Sequence, residues 1–211
     1  MDQINEKIND LLDKDKNKKI VIGISGIPGS GKSSFSECFK EKLTLTLKDD
    51  LVIKIIPLDG FHKYKKELNE EQVRFRGRID TFDLENFKQK LKELKEDGHS
   101  KNLFFPSFQH EVKDPKENEI KINETDNIII IEGLYLFVKE LNVDELFDLK
   151  IFIESDIEKA MERVALRNFK AGISKTLEES IERVNYNDLV NAEYVLKNSN
   201  FNNIIFIKYI E

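Results

Sequence analysis

The sequence predicts an α/β protein: a three-layer α/β/α fold around a mainly parallel five-stranded sheet, with a small excursion on the ligand side. Three observations predict it. Five short apolar runs, at 20–24, 51–56, 128–131, 150–153 and 204–207, are mostly separated by helical segments, the pattern of a parallel sheet with crossover helices. A glycine-rich segment, Gly26-Ile27-Pro28-Gly29-Ser30-Gly31-Lys32-Ser33, lies between the first run and a helix. Two acids, Asp59 and Glu132, stand at or just past the ends of two runs, where parallel sheets meet their ligands.

Residues 1–15 open the chain as a helix with Ile4, Ile8, Leu11 and Leu12 on one face. That stripe packs either on the domain or on a partner. Asp13 to Lys18 is a charged connector, and the first strand enters the glycine segment. The segment fits the phosphate-loop pattern G-x-x-x-x-G-K-[ST] at every fixed position, and strand, loop and helix are its required context. Gly26, Gly29 and Gly31 let successive N–H groups converge into an anion-binding nest. The next helix, Ser34 to Leu47, adds its N-terminal dipole. The expected nucleotide contacts run from Gly26 through Ile27, Pro28, Gly29, Ser30, Gly31, Lys32 and Ser33 to Ser34. Lys32 supplies charge to the phosphates, and the Ser33 hydroxyl is a hard oxygen ligand suited to Mg²⁺. Cys38, inside this helix, reads as a small buried residue.

The second strand runs into Pro57-Leu58-Asp59-Gly60-Phe61-His62. Asp59 reads as the acceptor of a proton from a substrate hydroxyl or as an Asx turn before Gly60. Beside a phosphate loop the proton acceptor is the stronger reading. Residues 63–80 are polar, with Arg74, Arg76 and Arg78 alternating around Gly77. Three arginines can hold an anionic substrate or phosphate, and a solvated loop is an equal alternative for Arg74 and Arg76. A helix follows with Leu84, Phe87, Leu91 and Leu94 on its apolar face, Asp83 or Thr81 as cap and Gly98 as stop.

Residues 102–106 and 120–122 suggest a small hairpin away from the main sheet, with His110 between them. Asn127 to Gly133 is the clearest buried strand. Glu132 at its end can hold Mg²⁺ through water. After the strand at 150–154, residues 157–170 form a helix with Arg163 and Arg167 on one face. Ala171-Gly172 breaks it, and arginines in such a segment can close over a nucleotide. A second helix holds Leu177, Ile181 and Val184, and residues 187–192 lead to the final strand.

At 211 residues one domain is expected. A net charge of −6 and a pI near 5.4 leave no basic field for nucleic acid. A single cysteine rules out an intrachain disulfide. No apolar run approaches the roughly 20 residues that cross a bilayer, and the polar N-terminus has no signal region. A cytosolic location and no membrane partner are the expectation.

Taken together, GIPGSGKS (26–33), PLDGFH (57–62), RGRIDTFD (76–83), FPSFQHEVKDP (105–115), IEGLY (131–135), R-x-x-x-R (163–167) and RVNYNDLVNA (183–192) resemble the phosphoribulokinase/uridine kinase family. The resemblance covers nearly the whole chain after residue 18. It implies a P-loop NTPase fold and transfer of the ATP γ-phosphoryl group, with Mg²⁺, to a hydroxyl of a small metabolite that is nucleoside-, pantothenate- or sugar-like. It implies Asp59 as general base, Lys32 on phosphate, Ser33 and Glu132 on the metal, and Arg163 and Arg167 as catalytic lid arginines. His62, Arg78, Asp80 and His110 join Asp59 as expected substrate contacts. Residues 60–123 would form the substrate side and 156–180 the lid. Arg76-Gly77-Arg78 and Asp80 stand where uridine kinases carry a different, aromatic-containing stretch. A homodimer is compatible with this reading. An alternative is a nucleotide-dependent ATPase switch whose α-helical N-terminal stripe meets a protein partner.

Overall fold

Alternation along the strands divides the apolar residues into two sets, and the sets lie on opposite faces of one sheet. The structure is a computed structural model describing residues 2–14, 19–47, 51–97, 100–109 and 112–208. Strands β1 (Ile20–Gly26), β2 (Ile53–Pro57), β5 (Ile128–Glu132), β6 (Leu149–Glu154) and β7 (Ile205–Lys208) form a sheet in the order β2-β5-β1-β6-β7. Every neighbouring pair is parallel. Ile20, Ile22 and Ile24 join Ile128, Ile130, Ile151 and Ile153 on one face. Val21, Ile129, Ile131 and Phe152 take the other. Period-two alternation forces this split.

The first face is covered by α1 (Asp2–Lys14) and α2 (Lys32–Thr46) through Ile4, Ile8, Phe35, Phe39 and Leu43. The second is covered by α4 (Leu84–Asp97), α5 (Ile157–Lys170), α6 (Leu177–Tyr186) and α7 (Asp188–Asn198). The fold is therefore the three-layer α/β/α arrangement expected from the sequence. Ile4 and Ile8 are buried, and Leu11 and Leu12 pack beside them. The chain's own core thus occupies the stripe that motivated a partner-directed switch.

Three expectations about elements change. Residues 188–198 are a helix, not a lead-in to the last strand. Its inner face is Asn191, Ala192 and Val195, too polar to announce itself as an apolar stripe. Cys38 is exposed, not buried. Helix α2 buries Phe35, Ser36, Phe39 and Leu43, and position 38 falls outside that face. The hairpin strands are longer than expected: β3 (Leu103–Gln109) pairs with β4 (Asp114–Ile122) in a separate two-stranded antiparallel sheet. Helix α4 has Asp83 as its cap, whose carboxylate accepts from the Asn86 amide at 3.1 Å. A short helix, α3 (Glu70–Arg74), lies within the polar stretch 63–80. The expected stop Gly98, His110 and residues 15–18 of the connector lie outside the described residues.

Candidate active site

The register of the parallel strands decides which side chains meet. Glu132 ends β5 level with Ile24 of β1 and Pro57 of β2. The phosphate loop leaves β1 on one side of it, and the turn bearing Asp59 leaves β2 on the other. Helix α2 starts at Lys32, two residues earlier than the sequence suggests, with Gly31 as its left-handed cap at φ 83°. Lys32 and Ser33 therefore sit in its first turn, where free N–H groups and the dipole favour anions.

Gly29 has φ 73°, and a Cβ there would lie 2.2 Å from the carbonyl oxygen of Ala160. Only glycine lets the loop lie against α5. Because α5 uses Ala160, Met161, Val164 and Ala165 for burial, Arg163 and Arg167 face the loop. Both line a cavity of about 670 Å³ together with Gly29, Gly31, Lys32 and Ser33. The Arg163 guanidinium donates to the Ser155 hydroxyl, and its Nε is buried without a partner.

The Ser33 hydroxyl donates to Glu132 Oε1 at 3.2 Å. Glu132 Oε2 is buried and, among the described residues, has no hydrogen-bond partner. Burial pushes the Glu132 carboxyl above the usual range; the Lys32 ammonium opposes this and the Asp59 carboxylate adds to it. Lys32 and Asp59 thus both act on Glu132 at the same end of the sheet. Asp59 itself is exposed, in the short turn Leu58–Phe61.

The expected substrate contacts divide. His62 Nδ1 lies 2.9 Å from the Asp59 carbonyl oxygen, and its ring packs against Phe82 and Phe108. Burial pushes its imidazole below the ordinary value and holds it neutral. Arg78 donates from Nε and NH2 to the Asp80 carboxylate, both at 3.0 Å, and from NH1 to Glu71 at 3.1 Å. The pair holds Asp80 below the usual carboxylate range. Arg74 is exposed at the end of α3, over the Phe75 and Tyr186 rings; it is solvated as expected, but on a helix, not a loop. Arg76 departs from that expectation: its side chain keeps only 12% of its surface and bonds Asp114 at 3.1 Å. His110 lies outside the described residues.

Sequence reasoning missed the junction of α6 and α7. Asn187 donates to the Arg76 carbonyl at 3.4 Å, and Asn191 and the Tyr135 hydroxyl donate to the Gly77 carbonyl at 3.3 and 2.8 Å. Asp188, the first residue of α7, has its carboxyl pushed up by burial, against the opposing charges of Arg167, Arg183 and Lys32. The only signal was the segment RVNYNDLVNA, which names residues but not their neighbours.

The Phosphoribulokinase / Uridine kinase family model matches residues 21–194. The "Putative uridine kinase C227.14" of Schizosaccharomyces pombe is 34% identical over 86% of this chain and 80% of its own length. The ATP-dependent kinase YFH7 of Vanderwaltozyma polyspora is 30% identical over 83% of this chain, which spans 60% of that longer relative. In fold, the chain resembles a crystal structure described as "putative fructose transport system kinase" from Silicibacter sp. TM1040. The TM-score is 0.85 at 23% identity, over 97% of this chain and 98% of that one.

Proposed function

Because the chain belongs to the phosphoribulokinase/uridine kinase family, we propose that it transfers the γ-phosphoryl group of ATP to a hydroxyl of a small metabolite. One observation carries the reading: Lys32, the Ser33–Glu132 pair and Asp59 converge on one sheet end. The loop amides and Lys32 bind the phosphates. Arg163 and Arg167, across the same cavity, neutralise charge on the transferring group. Asp59 accepts the proton of the acceptor hydroxyl as its oxygen bonds to the γ-phosphorus. The bond to the bridging oxygen breaks, and ADP leaves.

The Ser33 hydroxyl and the unpartnered Glu132 Oε2 suit a hard divalent cation. Mg²⁺ held there would supply neutralisation of phosphate charge. Ser33 and Glu132 hold each other in place before it arrives. His62, held neutral, steadies the Asp59 turn through the Asp59 carbonyl.

Asp59→Asn is the direct test. With an acceptor found by ADP release, kcat should fall by roughly 100-fold or more, the range of general-base catalysis. A variant turning over at near wild-type kcat would remove Asp59 from the role of base.

A further inference from the structure

Three arginines stand within five residues on the acceptor side, and packing gives them different states. Arg74 is exposed on aromatic rings. Arg78 has all three nitrogens engaged by Asp80 and Glu71. Arg76 uses one nitrogen: NH2 donates to the Lys63 carbonyl at 2.7 Å and to Asp114 Oδ1 at 3.1 Å. Its Nε and NH1 are buried with no partner. A guanidinium cannot shed its proton, and an unpaired buried donor on a charged group is costly. Among the described residues nothing supplies an oxygen to these N–H groups.

The setting selects the kind of oxygen. Phe108 lies 5.8 Å from the guanidinium carbon, so water screens the charge poorly. The Arg76 guanidinium keeps its charge across the working pH range. The carboxylate of Asp114 is 28% exposed, accepts from the Lys65 amide and touches Arg76 through NH2 only. In such surroundings a charged acceptor bonds a guanidinium far better than a neutral hydroxyl does.

The position selects the occupant. Lys63, gripped by Arg76, follows His62, and His62 meets the Asp59 carbonyl. Arg76 is therefore tied to the turn that carries the proposed base. On its other side, Asn187, Asn191 and Tyr135 hold the Arg76 and Gly77 carbonyls. A donor fixed from both sides is preorganised for binding.

We infer that the phosphoryl acceptor is a hydroxy compound bearing a carboxylate or phosphate group, and that Arg76 binds this anion. The inference rests on the kinase reading and names its substrate class. It makes Arg76 a specificity-determining residue, distinct from the phosphate loop.

Two measurements test it. The first compares wild type, Arg76→Gln and Arg76→Lys on matched acceptors: glycerol, glycerate and glycerol 3-phosphate, and pantothenol with pantothenate. Turnover should favour the anionic members, the carboxylate and phosphate arms telling the two sources apart. Arg76→Gln should raise KM for the favoured anion by about 10- to 100-fold with kcat nearly unchanged, and Arg76→Lys should recover part of it. Neutral members turned over as well as the anions, with KM unmoved by Arg76→Gln, would overturn the inference and leave the kinase reading standing.

The second fills the phosphate loop with the Mg²⁺ complex of β,γ-imido-ATP and titrates acetate or inorganic phosphate while following the melting temperature. Wild type should be stabilised and Arg76→Gln should not, circular dichroism confirming that the variant is folded. Equal stabilisation of both proteins, or none of either, would overturn the inference even if no acceptor in the panel is phosphorylated. Arg76-dependent binding without any turnover would count against the kinase reading alone. Asp114→Asn, which leaves Arg76 in place, separates anion binding from anchoring of the hairpin: it should keep the preference for anionic acceptors. Loss of that preference in Asp114→Asn would mean that Arg76 only pins the hairpin.

Discussion

Glu132 is a buried acid with one oxygen on Ser33 and the other on nothing. Its carboxyl titrates above the usual range because burial disfavours the charge. The folded protein therefore binds this proton more tightly than the unfolded chain. Stability is fully present below the unfolded value near 4.5 and declines as pH rises from there through the folded value. Glu132→Gln should remove that decline: its melting temperature should gain on wild type as pH rises above 4.5. The same variant should need about 10-fold more Mg²⁺ for half-maximal activity, in the range found for lost groups around metals. A wild-type Mg²⁺ requirement would take Glu132 out of the metal site. Among single residues, the sequence identified Lys32, Ser33, Asp59 and Glu132 as site candidates, because motif spacing and strand ends are one-dimensional facts. It set Arg78 apart as a substrate contact but could not separate Arg74 from Arg76. They are identical residues in one polar stretch, and only the neighbours that folding brings near leave Arg74 solvated, Arg76 half-paired and Arg78 locked.

The phosphate loop and α5 behave as one element. Gly29 lies against the Ala160 carbonyl with φ 73°. Gly29→Ala places a methyl group where that oxygen stands and adds backbone strain. It should weaken nucleotide binding by at least about 10-fold, seen by calorimetry, a loss of roughly 1.4 kcal/mol or more. Unchanged affinity would mean that the loop does not depend on contact with α5. Helix α1 is the second case. Ile8 is fully buried under the sheet, so Ile8→Ala should cost about 2–5 kcal/mol in chemical denaturation. At temperatures where the variant is folded, kcat should be unchanged. A fully stable variant would return the stripe to an outside partner. The α1 stripe was legible at the sequence level because Ile4, Ile8, Leu11 and Leu12 repeat at helical spacing. The helix α7 was not, because it turns Asn191 and Ala192 inward to hold the Gly77 loop.

Across the whole molecule, the sheet order β2-β5-β1-β6-β7 puts β5 between the strand that feeds the phosphate loop and the strand that feeds Asp59. One parallel register thereby brings residues 32, 59 and 132 to a single end of the sheet. Among the described residues, no helix is long and apolar enough to cross a membrane. The sequence by itself determined the layers, the phosphate loop and the acids at the strand ends, since hydrophobic period and motif spacing act along the chain. Tertiary structure alone decided that α7 clamps the Arg76–Arg78 loop, that Asp188 feels the charges of Arg167 and Lys32 and that, among the described residues, two Arg76 nitrogens have no partner. Burial and hydrogen bonding are settled by contacts between segments more than a hundred residues apart, such as Asn187 with Arg76, and no local pattern encodes them.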